Sequence, residues 1–232
     1  MRRPFTIFVF FLFLPTQVCE AVNWPLKLCG SGVGAYLCDQ DNIPFPVVGM
    51  SAWSLSGQAT PEEVTTFLDD RYEKGYTAIL LNAQEKYFAD NAPSNYNNDP
   101  AFSDITSWNT YQAAYFDNLE DLLTKARNRD IVVFLDVSYL GYQCGSDGWA
   151  TQITSSNNSD SDLQAFGHYL GDRYKDVGNI IWVQGADADC STCGSCDEQN
   201  VLAAALTDSS GDDGAYLQTA MSIYNRTAVA RI

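Results

Sequence analysis

The sequence is short of positive charge, of histidine and, after its first fourteen residues, of long apolar runs. Thirteen Lys and Arg stand against 29 Asp and Glu, a net charge of −16. Nucleic acids and anionic membrane surfaces are held by basic patches, so this balance argues against both as partners. The single histidine, His168, falls in a helical pattern and reads as structural. No later apolar segment approaches the ~20 residues that a membrane-crossing helix needs. No Gly-x-Gly-x-x-Gly follows the first strand candidate, which counts against a dinucleotide-binding fold. Repeats and low-complexity tracts are missing too, and with only 18% charged residues the chain does not have the composition of a disordered one. What is present is a large apolar share, 46% with 13% aromatic, enough for the core of one sizeable domain.

The N-terminus has the layout of a secretory signal peptide. Arg2 and Arg3 precede the apolar run Phe5 to Leu14, followed by Pro15 and the small-residue site Cys19-Glu20-Ala21. Cleavage is expected after Ala21, giving a signal peptide over 1–21 and a secreted, extracellular domain over 22–232. Of the seven cysteines this removes Cys19 and leaves six, an even number that suggests disulfides in an exported chain. Cys29 with Cys38 is the first expected pair. Cys190-Ser-Thr-Cys193-Gly-Ser-Cys196 has metal-ligand spacing, but a structural zinc needs four ligands, and one of these three is expected to pair with Cys144 instead. No metal and no cofactor is expected. Asn157-Asn-Ser159 and Asn225-Arg-Thr227 are glycosylation sequons.

Apolar runs alternate with helical periodicity along the rest of the chain. Gly34 to Cys38 reads as a short strand, Asp39 to Asn42 as a turn and Pro44 to Gly49 as the first buried strand. Thr60-Pro61-Glu62-Glu63 opens a helix as a capping box, with Val64, Phe67, Leu68 and Tyr72 on one face and Gly75 at its stop. Thr77 to Leu81 is the second strand. A long loop rich in Asn, Pro and aromatics follows, and loops of that length inside a domain are usually functional. Tyr111, Tyr115, Leu119, Leu122, Leu123 and Ala126 mark the next helix, and Ile131 to Leu135 the third strand, closed by Asp136. Ser161 or Asp160 is expected to cap a helix carrying Leu163, Phe166, Leu170 and Tyr174. The fourth strand is Ile180 to Val183, and Gly185-Ala186-Asp187 ends it. Helices are expected over Val201 to Leu206 and Tyr216 to Tyr224.

Strand followed by helix, four times, means a parallel sheet. The long connections all follow strands, as on the active face of a (β/α)8 barrel. A carboxylate at the end of a strand there, Asp187, can act as acid, base or nucleophile; Asp187 or Asp189 can equally turn the chain or cap the next helix. Trp53, Tyr87, Tyr96, Tyr139, Tyr142 and Trp149 lie at or beyond strand ends, where aromatic rings with a polar edge suit sugar faces.

Seven segments in order carry a family resemblance: Tyr36-Leu-Cys-Asp-Gln40, Gly49-Met-Ser-Ala-Trp-Ser-Leu55, Phe67-Leu-Asp-Asp-Arg-Tyr-Glu-Lys-Gly75, Lys86-Tyr-Phe-Ala-Asp-Asn91, Tyr139-Leu-Gly-Tyr142, Gly167-His-Tyr-Leu-Gly-Asp-Arg-Tyr-Lys175, and Asn179-Ile-Ile-Trp-Val183 with Asp187. They resemble the catalytic barrel of the apiosidase-like family, which includes glycoside hydrolase family 140. The resemblance implies a (β/α)8 barrel of the TIM type, of which this chain carries about the first four β/α units. It also implies an O-glycosyl hydrolase acting on plant or microbial glycans; the family's known activity releases apiose from pectic side chains. Asp187 corresponds to the family's catalytic carboxylate within Gly-Gly-Asp, here Gly185-Ala186-Asp187. The family's second carboxylate is a glutamate on a later strand; within this sequence Glu85 and Asp136, after the second and third strands, are the alternatives. Met50 stands where the family usually has Asp, a loss of polarity from the expected pocket, and the chain reads as the N-terminal half of a barrel. A catalytically inactive carbohydrate-binding descendant and a secreted interaction protein are the rival readings. The oligomeric state, the sugar, the linkage and the stereochemistry are left open.

Overall fold

The computed structural model describes residues 21–154, 156–188 and 190–221. A two-stranded antiparallel hairpin, β1 (Lys27–Cys29) and β2 (Tyr36–Cys38), comes first. It is closed by the expected Cys29–Cys38 disulfide. The body of the protein is a five-stranded sheet in sequential order, β3 (Gly49–Ser51), β4 (Ala78–Asn82), β5 (Val132–Asp136), β6 (Ile180–Gly185) and β7 (Gln218–Met221), with every pairing parallel. The connections carry α1 (Leu55–Gln58) and α2 (Pro61–Glu73), then α3 (Ala113–Arg127), α4 (Asp160–Tyr174), and finally α5 (Cys190–Cys193) and α6 (Cys196–Thr207). Four strand–helix units and a fifth strand are therefore laid out in barrel order.

The first buried strand starts later than its apolar run. Pro44 and Pro46 have no N–H to donate to a ladder, and pairing begins only at Gly49, opposite Ala78. The larger correction is β7. The apolar periodicity across Tyr216 to Tyr224 suggests a helix, but Gln218–Met221 pairs with Trp182–Gly185 as a fifth parallel strand. Residues 222–224 of the expected helix, Asn225-Arg-Thr227 and Ala228 to Ile232 lie outside the described residues.

Alternation along the strands sorts side chains onto two faces. Ile79, Leu81, Val133, Leu135, Ile180 and Trp182 join the main core beneath the helices. Ala78, Val132 and Ile181 point the other way and pack with Leu26 and Phe45, so the hairpin segment plugs the amino-terminal end of that second face. The helices bury the expected stripes: Tyr115, Leu119, Leu122, Leu123 and Ala126 of α3 are fully inside, at spacings of three and four. Tyr111 falls just before α3 and stacks on Tyr169 with ring centroids 4.0 Å apart. Tyr72, by contrast, is 56% exposed on α2. His168 pairs with Asp208 at 2.8 Å on the outside of α4.

The long connection after β4 is ordered by its own side chains. Asn95 Oδ1 accepts from the N–H groups of Asn97 (2.9 Å) and Asp99 (3.0 Å), and Phe102 stacks on Trp108 at 5.4 Å.

Two capping boxes start helices. Thr60 Oγ1 accepts from Glu63 N and Glu63 Oε2 from Thr60 N, as the sequence indicates. At α4 the cap is Ser159, not Ser161 or Asp160, because only Ser159 has an acid three residues on: Asp162 Oδ2 accepts from its N–H at 2.9 Å. Ser159→Ala should accordingly lower the unfolding free energy by about 1 kcal/mol in urea titration, whereas Ser161→Ala should leave it within about 0.5 kcal/mol.

Candidate active site

The carboxyl ends of the strands open on a cavity of about 360 Å³ lined by Ser51, Trp53, Leu80, Phe88, Tyr139, Asp187 and Met221. Ser51 and Leu80 are register partners on β3 and β4, and Met221 is the partner of Gly185 on β7. Trp53 meets Tyr139 edge-on at 4.9 Å, and Phe88 lies 6.1 Å from the same tyrosine ring. Three rings and one carboxylate thus share the mouth of the half-barrel.

Asp187 reaches this place through an unusual backbone. Gly185, Ala186 and Asp187 have φ of 92°, 64° and 54°, three successive residues in the left-handed region. Hydrogen bonds from both neighbouring strand extensions hold the turn: Ala186 N donates to Met221 O at 2.9 Å, Leu140 N to Gly185 O at 3.0 Å, and Gln143 N to Asp187 O at 3.2 Å. Cys144–Cys193 ties the loop after β5 to the segment after β6, and Cys190–Cys196 closes the short turn beside it. Both bridges therefore pin the chain just after the half-buried Asp187, one of them to the loop after β5.

Tyr139 is the polar neighbour. Its buried hydroxyl lies 3.1 Å from Asp147 Oδ2 and 3.4 Å from Asp187 Oδ2. Burial foremost, then the two carboxylates, push the phenol well above its ordinary range, so it stays a donor. Asp147 was not foreseen from the sequence; it also accepts from Tyr142 N at 3.3 Å. The loop that holds it needs glycine at 148, where a Cβ would sit 1.9 Å from Gly141 N.

The other strand-end carboxylates are occupied differently. Glu85 is fully buried; Oε1 accepts from the N–H groups of Lys86, Tyr87 and Phe88 at 2.9, 2.9 and 3.1 Å, and Oε2 from Ser54 Oγ at 2.7 Å. It anchors the turn that presents Phe88 and does not line the cavity. Asp136 ends β5 beside Asn82, its register partner, and both are fully buried. Asp136 Oδ1 accepts from Ser138 N at 2.8 Å, while Oδ2 and both polar atoms of the Asn82 side chain have no protein partner. Burial first, then the Asp187 charge, hold the Asp136 carboxyl well above the usual range, against the opposing Ser138 N–H.

Not all the expected aromatic residues reach the cavity. Trp149 is wholly inside, its Nε1 donating to Gln84 O at 3.1 Å and its ring edge-on to Trp108, so it packs the loops and offers no face to a sugar. Tyr87 and Tyr142 are 64% and 58% exposed beyond the rim. Tyr96 turns to Asn118, 3.4 Å away, in a separate depression. Met50 is a second correction. As the partner of Ile79 it packs into the core under the helices, and Ser51, one residue on, faces the cavity. The Met in place of Asp does not remove polarity from the pocket. Asp189 lies outside the described residues. All six cysteines of 22–232 are in disulfides, and among the described residues no three His, Cys, Asp or Glu side chains are grouped to hold a metal.

A family model described as the apiosidase-like catalytic domain matches residues 31–228. The chain belongs to that family. No curated protein matches. Among solved structures, the apiosidase-like chain superposes on one described as a glycoside hydrolase with a TM-score of 0.66 and 21% identity, over 85% of this chain and 41% of that one. A glycoside hydrolase family 5 protein from Bacteroides vulgatus gives 0.65 and 21% over 84% and 39%. A further protein from the same organism, described as a candidate glycoside hydrolase, gives 0.63 and 12% over 86% and 39%. The chain thus spans about two-fifths of these structures, and its fold is a partial (β/α)8 barrel.

Ala186 occupies a left-handed position where the family's Gly-Gly-Asp has glycine, and an L-residue there is destabilised by roughly 1–2 kcal/mol. Part of that is offset by the greater unfolded freedom of glycine, so Ala186→Gly should stabilise the fold by about 0.5–1 kcal/mol in urea unfolding. For Asp136, the unfolded carboxyl titrates near pH 4. Above that pH the native state keeps a proton the unfolded state has lost, so the contribution falls as pH rises toward the folded pKa. The stability of Asp136→Asn relative to wild type should therefore grow between pH 4 and pH 7. A difference that does not change with pH would mean that Asp136 ionises normally in the native state.

Proposed function

We propose that this is a secreted glycoside hydrolase of the apiosidase-like type, acting on glycosidic bonds of plant or microbial polysaccharide, with Asp187 as one of two catalytic carboxylates. The observation that carries the reading is the position of Asp187: a half-buried carboxylate fixed by two neighbouring strand extensions at the mouth of a cavity walled by Trp53, Phe88 and Tyr139. Glycosidic cleavage passes through an oxocarbenium-like state and needs a proton on the leaving oxygen. Asp187 would give that proton or take one from water, and the Tyr139 hydroxyl, kept protonated, is a donor 3.4 Å from Asp187 Oδ2. Ring faces of Trp53 and Phe88 supply apolar contact for a sugar. The second carboxylate is the glutamate that the family resemblance places on a later strand. Glu85, with both oxygens engaged by the turn, serves as scaffold, while Asp136 is fully buried, its carboxyl held well above the usual range. Export is supported by the signal-peptide pattern and by three disulfides, and among the described residues no helix is long and apolar enough to cross a membrane.

The test is sugar release from pectic oligosaccharides together with calorimetric binding. Asp187→Asn should lower kcat/KM by about 10³-fold while Kd stays within about threefold. Trp53→Ala should weaken binding by about tenfold through loss of a ring contact. Wild-type protein that binds glycan without turning it over, and an Asp187→Asn variant that binds equally well, would support the binding-only reading in place of the hydrolase.

A further inference from the structure

The amino end of the sheet, opposite the cavity, carries a contact that makes sense of where the chain is expected to be cut. Val22 N donates to Asp130 Oδ1 at 3.1 Å, across 108 residues of sequence. The Val22 side chain packs against the plug formed by Leu26, Phe45, Ala78, Val132 and Ile181, which fixes the nitrogen in place. Asp130 closes the turn between α3 and β5 at a φ of 52°, with its own N–H on Arg127 O at 3.0 Å. Both residues line a groove of about 300 Å³ whose other titratable walls are Asp39, Arg129, Tyr72 and Tyr76. Arg129 does not neutralise Asp130: its guanidinium is taken by Asp69 Oδ1 at 2.7 Å and Lys125 O at 2.8 Å. Asp39 is engaged by the N–H groups of Asp41 and Ile43 at 3.0 and 2.8 Å. The groove is therefore anionic, with a carboxylate whose partner is a main-chain nitrogen.

We propose that the groove is the binding site for the processed amino terminus of this same chain: cleavage between Ala21 and Val22 turns the Val22 nitrogen into an ammonium that forms an ion pair with Asp130. The inference rests on the secretion reading given above. The step is hydrolysis of one amide by the exporting host's signal peptidase. Water supplies the oxygen of the Ala21 carboxylate, and its two protons join the hydrogen already on the amide nitrogen to complete the Val22 ammonium. Ala21 is exposed, so the bond is open to attack. Before cleavage the nitrogen offers Asp130 one neutral donor; afterwards it offers a charge-assisted one, which is shorter and about twice as strong. The pair then ties the N-terminal plug to the α3–β5 turn. An α-amine titrates near pH 8 when free. Pairing raises that value in the folded state, so the added stability is present below about pH 8 and is lost as pH rises through the folded pKa.

The test compares full chains that begin at Val22, released from a removable tag, with chains that keep two further residues ahead of it. Each is made with Asp130 and with Asp130→Asn, and unfolded in urea at pH 7 and pH 10. The Val22 start should favour folding by about tenfold at pH 7. The advantage should vanish at pH 10 and in the Asp130→Asn background. Equal stabilities of the two starts, or an advantage that survives Asp130→Asn, would overturn the ion pair. Separately, N-terminal sequencing of protein collected from a secreting host should read Val-Asn-Trp-Pro. A different first residue would overturn the processing site, and with it that part of the secretion reading, while the chains with a defined start still decide the pair.

Discussion

The structure depends on one constraint: a parallel sheet whose central strands, β4 to β6, are buried on both faces, with side chains that alternate between two cores. β6 shows it most fully, since all six of its residues are inside. Ile180 and Trp182 face the helices, Trp182 with its Nε1 satisfied by Asp212 at 2.7 Å, while Ile181 faces the plug. Asn179, at the foot of the strand, donates to Leu123 O and Ile131 O and so locks β6 to the end of α3 and the start of β5. With the strand held along its length, its carboxyl end has little choice of position. That fixes where Asp187 emerges. The same alternation makes the amino end of the second face an apolar plug and leaves its carboxyl end open to ligands.

Rigidity at the carboxyl end comes from a second source. Three consecutive positive φ values are costly for the two non-glycine residues among them, and such backbone persists only where its surroundings over-determine it. Here main-chain bonds from Met221, Leu140 and Gln143 and the Cys144–Cys193 bridge surround the turn on two sides. The bridge closes a long loop, a separation of 49 residues, for which the chain-entropy estimate is about 4 kcal/mol. At roughly 1–2 kcal/mol for each of Ala186 and Asp187, the strain in the turn is of the same order and does not exceed that.

Elements with a local cause were legible in the sequence. The capping box at Thr60, the apolar runs of β4 to β6 and the stripe on α3 follow from rules that act within a dozen residues. So did Asp187 at a strand end, through the small residues that break the run before it. The cap of α4 and the late start of β3 also have local causes, in Asp162 and in Pro44 and Pro46; the remaining differences turn on longer-range facts. Gln218–Met221 is a strand because the free edge of β6 is there to pair with, and nothing within the segment itself says so. Met50 and Ser51 differ by one position, and in a pleat one position decides between core and cavity. Trp149 is buried because Phe102 and Trp108 from another loop close over it. Phe88 and Asp147, unnoticed as residues, are brought to the site by turns whose shape the Glu85 carboxylate and Gly148 impose.

The three carboxylates at successive strand ends show why residue type alone does not name a catalyst. Asp136 ends β5, Glu85 comes three residues after β4 and Asp187 two after β6, and residue type alone does not rank them. Glu85 accepts three backbone N–H groups and a hydroxyl, a set that engages both oxygens and leaves the side chain no freedom. Asp136 is buried with one oxygen lacking a protein partner and with the Asp187 charge near it, which favours the neutral form. Asp187 alone of the three lines the cavity and keeps an edge toward solvent. Proton exchange with a ligand requires both, so the division of labour among these groups is set by what each strand end packs against. Moving a single N–H or one ring would reassign it.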